Sequence, residues 1–415
     1  MTRTEPLEEV PAPPATGPRA AFRVATRRSF TPYFVGNALS ASGTWFQNLA
    51  AALLVYRLTH SALLLGVLNF SNFIAVLVLA PWAGSAADRL DQRRLLVVTQ
   101  LVATTLSATL AALAWTHHAP AWLVIAFALG LGVTSAFSAP ASQALIGWLV
   151  PPRDLPSAVG LNSMTYNVAR AAGPALAAES VRHLGIPASF AINSGSYLAL
   201  VAALAVVRPR EREVPRQDVR LRESIRLVRS NRRLLVFLCI VAAVGFASDP
   251  VNTLAPAFAH LFHRPDTEAG FIIGAFGGGA VTAALLLAGR VTGSRRRMTA
   301  TLLLLGGGMV AFGLAPWLGL AYPLLAIAGF GYLASNTHAT SRLQLEVEER
   351  QRGRIMALWS VAFLGLRPIA SLVDGAIAAA AGVRVSAVVL SVPVFLCAAW
   401  VIARARAAAV SAARA

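Results

Sequence analysis

The chain has 415 residues, of which 56% are hydrophobic and only 13% charged, against about 25% charged in an average soluble domain. Its formal net charge is +18 and all 36 basic residues are arginine. This balance excludes an ordinary soluble globule and leaves two partners for the positive charge, nucleic acid or a membrane, which the placement of the arginines separates. Cys239 and Cys397 lie far apart inside apolar runs, so neither a disulfide framework nor a metal-ligand spacing is available, and no metal or cofactor is expected.

In chain order, residues 1–30 are polar and proline-rich with no apolar core segment, which reads as a disordered cytoplasmic tail rather than a signal peptide. Twelve runs of the roughly 20 apolar residues that cross a bilayer follow. They extend over 31–56, 62–83, 95–116, 120–148, 156–181, 185–207, 234–260, 268–289, 298–318, 320–345, 354–380 and 383–403. The longest polar break, 208–233, divides them six and six. The predicted domains are an N-terminal bundle over 31–207, a basic cytoplasmic central loop over 208–233, a C-terminal bundle over 234–405 and a cytoplasmic tail over 406–415.

With both ends of the chain inside, 29 arginines fall on inner segments. Four fall on outer loops (Arg57, Arg182, Arg264, Arg384) and three within spans (Arg170, Arg342, Arg367). Lys and Arg collect on cytoplasmic loops, so the bias predicts a multi-pass protein of the bacterial cytoplasmic membrane with both termini in the cytosol. It also removes the case for nucleic acid, because the charge is spread over many short loops. The halves look related: "PSAVGLNSMTYNVARAAGP", ending at Pro174, aligns without a gap with "RQRGRIMALWSVAFLGLRP", ending at Pro368. Each carries an arginine within one turn of its proline. Two six-helix halves joined by a central loop are a transporter layout.

The stretch "GSAADRLDQRR", residues 84–94, sits on the first inner loop. It resembles the signature of the major facilitator superfamily in Gly84, Asp88, Arg89 and Arg93, with Asp91 and Gln92 where Gly and Arg are usual. "GNALSASGTWFQNLAAALLVYRLTHSALLLG", "APASQALIGWLVPPRDLPSAVGLNS", "NVARAAGPALA" and "RQRGRIMAL" extend the resemblance over roughly residues 30 to 400, to a drug and siderophore exporter branch. The resemblance implies an all-α membrane protein of twelve helices in two pseudo-symmetric six-helix bundles, moving by alternating access around a central substrate site. It also implies a cytoplasmic gate where Asp88 latches the halves near the start of span 11. The arginine that many proton-coupled members carry before a G-x-G in span 4 is absent ahead of Gly130 and Gly132, so coupling must use other groups.

A mid-span charge costs about 2.5–3.5 kcal/mol on insertion scales, so it should face protein or a wet cavity. That singles out Arg170 in span 5, Asp249 beside Pro250 in span 7, and Arg367 and Asp374 in span 11. The last two are seven residues apart on one helix face, about 10 Å by rise and too far for direct contact. Asp249 suits proton coupling or a hydrogen-bonding gate; Arg170 suits an anionic substrate, a carboxylate partner or bracing of the neighbouring bend. Uncharged candidates for the substrate path are Trp45, Gln47 and Asn48 in span 1, Asn167 in span 5, and Asn336 and His338 in span 10, although such side chains also serve as helix–helix glue. In span 8, "GFIIGAFGGG" places Gly270, Gly274 and Gly278 at four-residue spacing for close helix approach, and lacks the Lys and Ser/Thr of a phosphate loop. No nucleophile–base pair or paired inward carboxylates are evident, so an enzyme is not expected. The reading is a monomeric exporter of a small amphipathic molecule, working by proton antiport within the lipid bilayer. The alternatives are a proton-coupled uptake symporter on the same fold and a non-transporting sensor or scaffold.

Overall fold

The computed structural model describes residues 18–207, 231–287, 295–347 and 351–414. Most of the central loop, the loop between spans 8 and 9 and the first part of the N-terminal tail lie outside the described residues. Among the described residues all regular structure is helical. The helices are α1 (Pro18–Ala25), α2 (Thr31–Thr59), α3 (Ala62–Arg89), α4 (Gln92–Trp115), α5 (Ala121–Leu149) and α6 (Leu155–Val206). They continue with α7 (Arg232–Thr253), α8 (Ala255–Leu261), α9 (Glu268–Leu287), α10 (Arg295–Leu314), α11 (Leu318–Leu345), α12 (Arg352–Ser360), α13 (Arg367–Ala381) and α14 (Val383–Arg414). A π-helical turn, Val361–Gly365, joins α12 to α13.

Among the described residues, ten helical stretches are long and apolar enough to cross a membrane. One of them is α6, which turns at Gly185, where φ is 82°. A glycine adopts that left-handed backbone without the steric penalty a side chain would bring. Gly382, at φ 91°, makes the matching turn between α13 and α14. Taking the two arms of α6 separately and adding the more polar 29-residue α2 accommodates the twelve crossings read from the sequence.

Local signals set the helix starts. Ser61, Asp91 and Asn231 accept backbone N–H bonds at the heads of α3, α4 and α7, which satisfies donors that the helix itself leaves open. Asp91 thus has a definite task in the charged loop. Two stretches read as tails are helical. Residues 18–25 form α1, and α14 runs on to Arg414. What holds α1 is Asp154, fully buried in the turn before α6, which takes Arg23 at 2.8 Å and Arg27 at 2.7 Å. Such charge-assisted pairs tie a short helix that its own hydrogen bonds do not stabilise.

The N-terminal bundle is built by α2 on both arms of α6, α3 on α5, and α4 on α5 and α6. In the C-terminal bundle α11 packs on α9 and α10, and α14 packs on α10, α7 and α13. The halves meet along two seams, α3 with α13 and α6 with α9. Both seams are made of small residues: Gly66 lies against Gly375, and Gly270 against the Pro174 carbonyl. In lipid, where apolar burial drives little helix association, such close backbone approach is a main source of attraction. The glycine stripe of α9 differs by one residue from expectation. Gly270, Gly274 and Gly277 face α6, whereas a Cβ at Gly278 would meet nothing within 4 Å. Seven residues bring a helix almost back to the same face, and eight overshoot it by most of a quarter turn.

The seams run from mid-depth to the end opposite the charged 88–94 loop, called here the far end. Among the described residues, the hydrogen bonds and ion pairs between halves also lie there. Arg57 pairs with Asp266, Arg182 reaches Glu268 at 3.6 Å, and Asn69 donates to Thr253 at 2.9 Å. The rings of Tyr56, His60 and His260 cluster beside them. Toward the basic end, Val159, Met164, Tyr166, Asn167 and Val168 of α6 are exposed. Three consecutive exposed residues cover more than half the helix circumference, so α6 is bare on more than its lipid side. Among the described residues, the halves are closed at the far end and parted at the basic end.

A Cβ on Gly329 would stand 1.8 Å from the Phe276 carbonyl oxygen. Gly329→Ala is therefore expected to destabilise the detergent-solubilised protein by about 1–3 kcal/mol in thermal unfolding, while Gly278→Ala leaves the midpoint nearly unchanged; equal losses would refute the face assignment. A Cβ on Gly270 would stand 2.2 Å from the Pro174 carbonyl oxygen. Gly270→Val is expected to wedge the far end, and spin labels at Leu58 and His263 should report a longer distance than in the wild type.

Candidate functional site

The mid-span charges converge where the seams give way to the gap. Arg170 lies on α6 one turn before Pro174, and its guanidinium sits 4.6 Å from the ring centroid of Tyr332 in the other half. Arg367 opens α13, and its guanidinium sits 4.6 Å from the ring of Phe73 on α3, again across the halves. Each contact contributes about 0.5–2 kcal/mol, more as water is withdrawn. Neither arginine has a carboxylate within 4 Å among the described residues. The position of Arg367 follows from the preceding sequence. The π-helical turn inserts an extra residue into the helix, and Pro368 starts the next helix without needing an N–H partner. Such turns cluster at functional sites because they redirect side chains and loosen backbone pairing.

Around Arg170 lies an aromatic run. Tyr332 packs on Phe276 with centroids 5.3 Å apart and lies 6.3 Å from Phe363, which stacks on Trp359 at 5.0 Å. Tyr332, Asn336 and Thr340 follow one another at four-residue spacing on α11, so they share a face. The Asn336 Oδ1, Thr340 Oγ1 and Trp359 Nε1 atoms are buried without a hydrogen-bond partner. Buried polar atoms are nearly always satisfied, so these three mark hydrogen-bonding capacity that the contacts of this conformation leave unused.

The second cluster is acidic. Asp249 is buried and accepts hydrogen bonds from Thr253 Oγ1 at 2.8 Å and Ser371 Oγ at 3.3 Å. Thr253 in turn accepts from Asn69. A hydrogen-bonded chain, Asn69–Thr253–Asp249–Ser371, therefore spans α3, α7 and α13 and joins the halves. Arg367 is the cation whose charge acts on Asp249. Asp374 is fully buried, accepts from Ser386 Oγ and leaves Oδ2 without a hydrogen bond. As the spacing predicts, Asp374 and Arg367 form no ion pair; Asp374 turns to α14 instead.

The remaining sequence candidates divide. Trp45 is half-buried and packs on Gly173, directly beside the Arg170 turn, and Asn48 is half-buried one turn further along α2. Gln47 lies inside the N-terminal bundle, where it accepts from Ser107 and Asn193, both at 2.6 Å. Its neighbours make it a brace of α2, α4 and α6. Asn167 is exposed and donates to the Ser163 carbonyl of its own helix. His338 is buried on a different face of α11, with Nδ1 unpartnered. In the charged loop, Asp88 and Arg89 are exposed, and a Cβ at Gly84 would meet nothing within 4 Å. Arg93 donates to the Leu204 and Ala205 carbonyls at 2.6 and 2.9 Å, closing the C-terminal end of α6 within its own half. The side chains at the start of span 11 that would meet Asp88 lie outside the described residues. Sequence reading missed Phe73, Tyr332, Thr340, Trp359, Phe363 and the serines facing the acids. Only Tyr332 had a signal, its place four residues before Asn336.

The family model described as transmembrane secretion effector matches residues 17–414. The Staphyloferrin A transporter of Staphylococcus aureus is 26% identical over 238 residues, 55% of this chain and 59% of that protein. Macrolide efflux protein A of Streptococcus pyogenes is 23% identical over 262 residues, 60% of this chain and 65% of that protein. The matched segments thus span about three-fifths of these curated relatives. Among solved structures, a bacterial homologue of the human lysosomal transporter Spinster superposes with a TM-score of 0.72 at 15% identity, covering 94% of this chain and 98% of that one. The nucleoside transporter NupG gives 0.71 at 13%, covering 90% and 98%. These likenesses establish the fold. With ten apolar spans, two bundles and a match across nearly its whole length, the chain belongs to the transmembrane secretion effector family of the major facilitator superfamily.

Proposed function

We propose that the protein exports a small amphipathic molecule across the bacterial cytoplasmic membrane by proton antiport, with both termini and the basic end in the cytosol. The observation that carries the reading is the placement of Arg170, Tyr332, Asn336, Thr340 and Trp359 where the parted halves converge. An arginine, aromatic side chains and neighbouring polar residues suit a ligand with an apolar body and a polar group, and the gap admits it from the basic end. The positive-inside pattern supports that end being cytosolic. The family match and the efflux name of the Streptococcus pyogenes relative support export as the direction.

Asp249 is the proposed proton carrier. It is buried, bonded to two hydroxyls and linked through Thr253 to the opposite half. A proton on its carboxyl changes its pull on Arg367 and on the Asn69–Thr253–Asp249–Ser371 chain, which lies on the far-end side of the seam. Proton arrival from outside and opening of the far end are thereby joined at one residue. Asp374, behind it, is proposed to hold α13 against α14 as this happens. The proposed cycle involves no covalent chemistry and draws on no ATP.

The substrate is sought by mass spectrometry of medium from deletion and overexpression strains. The molecule so identified is then added to inside-out vesicles carrying a proton gradient. Gradient-dependent accumulation with proton release is expected; accumulation only by right-side-out vesicles would replace export with uptake. Asp249→Asn is expected to abolish gradient-driven accumulation while leaving protein level and substrate binding intact, and full flux in that variant would remove Asp249 from coupling. Asp88→Asn is expected to lower the turnover rate with little change in apparent affinity, as loss of a latch formed when the basic end closes; unchanged turnover would refute the latch.

A further inference from the structure

We propose that a cleft at the basic end of the C-terminal bundle, between α7, α10, α11 and α14, binds the headgroup and upper acyl chain of an anionic phospholipid from the adjoining leaflet. The cleft is separate from the substrate surface and has a volume of about 220 Å³. Its inner wall is apolar, formed by Val236, Phe237 and Ile240 of α7, Met298 of α10 and Val401 of α14. Its rim is cationic: Arg233, Arg342 and Arg404 arrive from three different helices, and among the described residues lining the cleft Glu346 is the carboxylate that faces them. Arg233 reaches that carboxylate at 3.5 Å while its side chain is 73% exposed. An exposed pair of this kind is weak and leaves the guanidinium able to take a stronger anion. The Arg404 guanidinium sits over the Trp400 ring, 4.9 Å from its centroid, and both residues line the cleft.

Scattered arginines on an inner loop need only water. These converge over an apolar cleft at a membrane boundary, where an amphipathic indole is also favoured. Leu235 and Leu396, exposed on α7 and α14 beside the mouth, continue the apolar surface outward for the remainder of a chain. Soluble anions match the rim but leave the wall exposed to water, and a zwitterionic lipid matches the wall but brings its own cation to a rim that is already positive. An anionic phospholipid satisfies both, in line with the general affinity of basic pockets between membrane helices for such headgroups. A lipid there bridges α7, which carries Asp249, to α11, which carries Tyr332 and Asn336.

The test uses the full chain in detergent and native mass spectrometry, adding phosphatidylglycerol or phosphatidylcholine of identical acyl chains. The wild type is expected to retain one phosphatidylglycerol in clear preference to phosphatidylcholine. Arg233→Gln combined with Arg404→Gln should weaken that retention about thirtyfold, as two surface arginines contribute. Glu346→Gln should strengthen it, an opposite shift that impaired folding does not produce. Equal retention of the two lipids, or retention indifferent to all three substitutions, would overturn the proposal. So would displacement by millimolar inorganic phosphate, which would make the occupant a soluble anion. Because binding is read without transport, failure here is distinguishable from failure of the export reading.

Discussion

Hydrocarbon offers no partner to a charge, so every ionised or polar group at mid-depth must find one on protein or in a wet gap. Four such groups shape this molecule. Arg170 and Arg367 each find an aromatic face in the opposite half, Asp249 finds two hydroxyls and a link across to α3, and Asp374 finds Ser386. Three of the four therefore sit on surfaces that the two halves share. Any relative movement of the halves must exchange these contacts for others, so the groups with the greatest need of partners are also those most sensitive to the movement.

The seams supply the opposite quality. Gly66 against Gly375, and Gly270, Gly274 and Gly277 against α6, bring backbones together with few side chains to disentangle. Packing of this kind is tight when made and simple to break, because it requires no rotamer rearrangement. Polar braces that should not move are kept within one half. Gln47 with Ser107 and Asn193 binds α2, α4 and α6, and Arg93 holds the end of α6 against the start of α4. The two bundles are thus cross-braced internally by hydrogen bonds and joined to each other by glycine contacts, a few charges and the Asn69–Thr253 hydrogen bond.

Much of this was legible in the sequence because bilayer physics is one-dimensional. Length and hydropathy locate the apolar spans, and the cost of a charge in lipid marks the four ionisable groups within them as the ones in need of partners. What escaped was rotation about each helix axis. Gly278 and Gly277 differ by one position and face different neighbours. Gln47 stands between Trp45 and Asn48 yet turns into its own bundle, because 100° per residue separates adjacent side chains. Trp359 and Phe363 were hidden for a different reason: aromatic residues are ordinary constituents of apolar spans, and only the ring contacts that link these two to Tyr332, which meets Arg170, distinguish them. The π-helical turn before Arg367 has no sequence signature at all, and it decides where that arginine points.

The ion pairs made by Asp154 have a bearing on biosynthesis. Arg23 and Arg27 emerge from the ribosome well over a hundred residues before the carboxylate that receives them. They have no structural partner until four hydrophobic segments have been inserted and the turn ahead of α6 has been made. Docking of α1 is therefore a late event in the maturation of the first bundle. Arg23 and Arg27 thus reach their places only once Asp154 has been laid down, and their docking reports completion of the segments before it.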